Sequence, residues 1–129
     1  MNDRFLFKAK HSLNGKEWYI GNLVEEFDGL YIRDIHKNIK IYINDASTIC
    51  QCTGLKDKNG NLIWENDIVR GKMHGNYGYR KLVGVVQYYI DAFKVNIEPN
   101  SFSVYKNIPD TCEVIGNIFD NPELVVNEN

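Results

Sequence analysis

Three groupings in this sequence carry side chains that could do chemistry. The first is Asp57, Glu65 and Asp67, carboxylates close enough in sequence for acid–base or metal-assisted work. No histidine or further carboxylate stands at a supporting spacing, so a structural role is expected instead. Asp57 opens a turn, and Asp67 caps backbone N–H groups where a strand begins. The second grouping is Cys50 and Cys52, two apart and therefore on one face of a strand, with Cys112 far along the chain. A zinc site needs further ligand pairs, and His11, His36 and His74 are scattered, so the thiols read as reduced, buried, apolar residues. There is no G-x-S-x-G elbow and no Walker loop, and Gly71, Gly75 and Gly78 are too loosely spaced to cradle a phosphate. The expectation is a protein that is not an enzyme and needs no metal or cofactor.

The third grouping is the segment from Arg70 to Lys81. It gathers Arg70, Lys72, Arg80 and Lys81 around Tyr77 and Tyr79 among several glycines. Positive charge can track phosphates while aromatic rings stack on bases, the combination used to hold single strands. Read as a long Gly-rich loop, the segment is a candidate binding rim. The competing reading is a solvated β-ribbon whose tyrosines fold back onto the protein.

These residues must be positioned by strands. The run Thr53 to Gly71 organises the chain, beginning with a turn in which Asn59-Gly60 can take the positive φ angles of a type I′ hairpin. The following Leu62 to Val69 reads as a strand carrying Trp64, a ring expected to be buried and to anchor the junction of two halves. Before it, Arg4–Lys10, Glu17–Leu23, Leu30–Arg33, Ile39–Ile43 and Thr48–Cys52 read as short strands, with Asn14-Gly15 and Asp28-Gly29 as turns. A brief helical cap is expected near Asn44 to Ser47. After it, Leu82–Ile90 is apolar on both faces, as a central strand is. Phe93–Ile97 alternates, Ser101–Tyr105 returns, Ile108-Pro109-Asp110 suits a helical turn, and Glu113–Phe119 is the last strand before Asn121-Pro122. Five strands after Asp67, opened by a long loop and closed across a short turn, give the order of an SH3-like barrel. The fold class is therefore mainly β: an N-terminal β-meander over residues 1–52, packed on a C-terminal SH3-like β-barrel over residues 53–129, with few helical turns.

Composition narrows the partners. Fifteen basic and seventeen acidic side chains leave a net charge of −2, without the excess of Lys and Arg that coats nucleic acid. No apolar run approaches the ~20 residues of a membrane helix, and the polar Met1-Asn2-Asp3-Arg4 does not resemble a signal peptide, so a cytoplasmic address is expected. The strand Phe93–Ile97, with Lys94 as its only edge guard, suggests a homo-oligomer that pairs sheet edges.

The stretch Thr53-Gly54-Leu55-Lys56-Asp57-Lys58-Asn59-Gly60, then Trp64-Glu65-Asn66-Asp67-Ile68-Val69, then Glu113-Val114-Ile115-Gly116-Asn117-Ile118-Phe119-Asp120-Asn121-Pro122-Glu123-Leu124, resembles the YopX family. Arg4 to Ala9 matches its opening strand loosely. Gly54, Asp57, Asn59, Gly60, Trp64, Asp67, Gly116 and Pro122 mark the shared motifs. Trp64 stands where the family usually has Tyr. Asn66 stands where Gly is usual, and Asn best tolerates the left-handed conformation that such a turn needs. The resemblance implies a mainly β fold and an origin in phages or prophages of Gram-positive bacteria, with the bacterial host cytoplasm as its location. It implies no reaction. Two functions follow: a small protein that engages another protein through loops or a sheet edge, or a single-stranded nucleic-acid-binding module using residues 70–81.

Overall fold

The structure, a computed structural model, describes residues 5–11, 15–75 and 78–126. Eleven strands run through these residues: β1 Phe7–Lys10, β2 Trp18–Glu26, β3 Gly29–Asp34, β4 Lys40–Tyr42, β5 Cys50–Lys56, β6 Leu62–Trp64, β7 Asp67–Gly75, β8 Gly78–Tyr89, β9 Ala92–Asn96, β10 Tyr105–Lys106 and β11 Glu113–Asn117. One short helix, α1, spans Glu123–Val126. The strands form two antiparallel sheets, in the orders β4-β3-β2-β1-β5-β6 and β10-β9-β8-β7-β11. The fold is mainly β, and the chain divides into compact units at Met1–Gly54 and Leu55–Asn129.

In the first unit, a meander, two of the turns are held by a carboxylate that accepts backbone N–H groups. At the β3–β4 turn, Asp34 Oδ1 accepts the N–H groups of His36 and Lys37 at 2.7 and 2.9 Å, and Asn38 takes φ 52°. The expected helical cap is a 3₁₀ turn at Ala46–Thr48, opened by the Asp45 carboxylate accepting from Ser47 N at 2.9 Å. The outer edge of β4 is blunted: His11 Nδ1 donates to Tyr42 O at 2.6 Å, and Asn44 N donates to His11 O at 2.9 Å. Leu6, Ala9, Tyr31, Ile32, Cys50 and Cys52 supply its buried residues. Of the predicted turns here, Asn14 lies outside the described residues.

In the second unit β8 is the middle strand, and Leu82, Val85 and Val86 are buried on its two faces, as its apolar pattern predicts. Leu82 and Val86 join Ile63, Val69, Val95 and Cys112 in the core. Trp64 is buried, at 6% exposed. Three strand expectations need correction. Leu62 to Val69 is not one strand: it breaks at Glu65-Asn66, where Asn66 takes φ 71° in the tight turn expected into Asp67. Residues 70–75 and 78–81 take the competing reading given above, a paired ribbon and not a long loop, with β7 and β8 in register from Ile68↔Val85 to Gly75↔Gly78. The strand at Phe93–Ile97 is not an edge, because β9 lies between β8 and β10. The return strand from Ser101 shrinks to Tyr105–Lys106, because Asn96 holds the preceding segment as a loop. Its Oδ1 accepts from Glu98 N and Val104 N at 3.1 and 3.2 Å. Among the described residues the sheet stays open from β10 to β11, with no closed barrel.

Candidate functional site

The motif residues assemble a turn rather than a reactive centre. Asp57 is buried at 6% exposed. Its Oδ1 accepts from Asn59 N and Asn61 N, both at 2.9 Å, and its Oδ2 accepts from Val114 N, also at 2.9 Å. One side chain therefore shapes the turn and covers the outer edge of β11, where Lys58 N also donates to Cys112 O. Burial alone would raise the Asp57 pKa, but the N–H groups of Val114, Asn61 and Asn59 outweigh it and hold the carboxyl below its ordinary value. The turn is not the expected type I′: Gly60 takes φ 83°, but Asn59 does not enter the positive region. A three-residue connection with glycine in the left-handed position fits this better. Asp67 accepts from Trp64 N at 2.8 Å. A Cβ on Gly116 would meet Asn121 Oδ1 at 2.5 Å, so only glycine fits beside that loop. Pro122 follows Asn121 and opens the last turn, its carbonyl accepting from Val125 N at 3.2 Å. Gly54 takes φ 82°.

The three thiols are buried. Burial, with the negative charges of Asp57 and Asp110, pushes the Cys112 thiol up and away from the reactive thiolate.

The basic segment is partly gathered. Arg70, Lys72 and Lys81 line a cleft of about 620 Å³, together with Lys58, Gly71 and Glu113 among others. Glu113 takes up Arg70: its Oε1 lies 2.8 Å from Arg70 Nε and 2.8 Å from Arg70 Nη2. Thr111 extends the ladder past the end of β11, its hydroxyl accepting from Lys72 N at 3.2 Å and donating to Lys72 O at 3.1 Å. Tyr79 and Arg80 stand in β8 opposite His74 and Met73, whereas Tyr77 lies outside the described residues. Of the predicted six, Arg70, Lys72 and Lys81 are placed in the cleft, while the side chains of Tyr77, Tyr79 and Arg80 lie outside what the structure describes.

The sequence places a tight connection at Asp91-Ala92, after β8, but not the strain in it. At the β8–β9 turn Ile90 takes φ 61°, while Asp91 N donates to Tyr89 O at 2.7 Å. A positive φ closed by an i→i+2 hydrogen bond is the rare, strained form of γ-turn. The strained side chain points nowhere inside: Ile90 is 79% exposed. The two tyrosines that precede it are each paired with another ring. Tyr88 meets Phe93 edge-on at 5.1 Å, and Tyr89 stacks on Tyr105 at 3.9 Å. Asp91 signals the turn, but nothing in Tyr89-Ile90-Asp91-Ala92, which contains neither Gly nor Asn, signals a positive φ at Ile90.

Among the described residues, no helix is long and apolar enough to cross a membrane, and no group of His, Cys, Asp and Glu side chains could hold a metal ion. A family model described as YopX protein matches residues 10–126. Comparison with curated proteins finds no match. Among solved structures, the chain is similar to protein EF1440 from Enterococcus faecalis. The identity is 26%, the TM-score 0.53, and the match covers 92% of this chain and 96% of that one.

Proposed function

Because the chain belongs to the YopX family, we propose that it is a small phage- or prophage-derived interaction protein, binding another protein in the bacterial cytoplasm and catalysing no reaction. The observation that carries this is Ile90. A β-branched residue at positive φ costs roughly 1–2 kcal/mol relative to glycine, and nothing in the fold recovers it, since the side chain lies in solvent. Flanked by Tyr88 and Tyr89, it is a preorganised apolar wedge with aromatic anchors, the composition that dominates protein interfaces. Against catalysis stands the use of the Asp57 and Asp67 carboxylates as acceptors for backbone N–H groups. The strand order of the second unit supports reading it as an opened SH3-like sheet.

The nucleic-acid reading draws on Lys72 and Lys81 in the cleft. It is weakened by Glu113, which engages Arg70.

Affinity capture from prophage-induced cells compares the native chain with Ile90→Asp, before and after nuclease treatment. A protein retained through nuclease and lost with Ile90→Asp supports the proposal. A protein lost with nuclease and indifferent to Ile90→Asp moves the function to nucleic acid.

A further inference from the structure

The ladder sets Lys72 directly opposite Lys81. Residues so paired have Cα atoms about 5 Å apart, and like charges directly opposite are destabilising. Both lysines are exposed and line the cleft, and no carboxylate among the described residues lies within ion-pairing distance of either ammonium group. The contrast with Arg70 on the same face is sharp: there the residue opposite in β11 is Glu113, and the pair is made. Beyond Glu113, the Thr111 hydroxyl is used on the Lys72 backbone, and Asp110, which also lines the cleft, makes no ion pair with either lysine. Two adjacent cations thus face a cleft of about 620 Å³, the size that encloses a small ligand.

We propose that this cleft is a binding site for the phosphate monoester of a small molecule, with Lys72 and Lys81 straddling the phosphate and the body lying along Gly71 and Val83. A dianion between the two ammonium groups replaces their repulsion with two charge-assisted hydrogen bonds. A polymer is a poorer fit, because Asp110 and Glu113 also line the cleft and would face its neighbouring phosphates. The site is separate from the β8–β9 turn, so it stands or falls independently of the protein-binding reading.

The test is an amide NMR titration of the full chain with AMP, with inorganic phosphate, and with sodium chloride at matched ionic strength. AMP is expected to shift the signals of Gly71, Lys72, Lys81 and Val83 and to bind more tightly than phosphate, while salt leaves them in place. Lys72→Glu should weaken AMP by about tenfold or more. Lys106→Glu, the same charge change on exposed β10, should leave AMP binding within about twofold. Thermal unfolding without ligand checks that both variants fold, and Lys81→Ser replaces Lys72→Glu should that one fail. Absence of shifts at millimolar AMP overturns the proposal. So does equal loss in Lys106→Glu, or an effect that salt reproduces. An oligonucleotide that binds more tightly than AMP at equal phosphate would replace the small ligand with a polymer.

Discussion

Two turns of the second unit solve the same problem in opposite ways. Between β5 and β6, the chain reverses with glycine at the one positive φ, and a buried carboxylate accepts from three backbone N–H groups. Between β8 and β9, it reverses with isoleucine at the positive φ and leaves that side chain in solvent. The first turn has the chemistry its backbone asks for, so it reads as structure. The second goes against its backbone without an internal return, and such strain persists where something outside the fold uses it. Stability is concentrated at one end of the unit and given up at the other.

The comparison can be broken at its stable end first. Replacing Trp64, buried just beyond the first turn, with Ala should cost about 3–5 kcal/mol in urea unfolding. A loss below about 1 kcal/mol would mean that this end is not the stable one. Asp57→Ala leaves three N–H groups without their acceptor and should cost about 3 kcal/mol. It should also expose the edge of β11, visible as faster hydrogen exchange at Val114.

Acid should act at the same place. The Asp57 carboxyl is held below its ordinary pKa, burial opposing and the Val114, Asn61 and Asn59 N–H groups prevailing. Asp34 is held low in the same way, burial opposing and the Lys37 and His36 N–H groups prevailing. A depressed folded-state pKa contributes stability above the unfolded value, near 3.9, and loses it as pH falls through the folded value. Unfolding free energy should therefore fall from about pH 4 downward, less steeply in Asp57→Ala. Equal slopes for the two proteins would remove Asp57 from the account.

How far these features were legible in the sequence depends on how local their causes are. Asn66 was legible because a left-handed residue before Asp67 is a local demand that Asn can meet. Gly60 was legible for the same reason, but the turn type was not. It is settled by Asp57, whose second oxygen serves Val114 across 57 residues of sequence. The thiols of Cys50, Cys52 and Cys112 were read as buried, and are. β9 was misread as an edge although a return strand was expected after it; that cover, β10, is only two residues long. The basic segment allowed both a loop and a ribbon because its glycines are turn signals; the ribbon holds, and Gly71 sits within β7 facing Cys112, where a Cβ would lie 3.0 Å from Cys112 Cα. The β8–β9 turn was legible at Asp91-Ala92, but the positive φ of Ile90 carried no signal, because the rules for positive φ look for Gly and Asn.

The most direct measurement of the central claim is equilibrium unfolding of Ile90→Gly. Glycine relieves the positive φ at the expense of some unfolded-state entropy, and removes a side chain that packs on nothing. The account predicts a variant more stable than the native chain by about 1 kcal/mol, the smallest effect here and the only gain. A variant less stable than the native chain would show that Ile90 holds the fold together, and would contradict the claim that this turn gives up stability for binding.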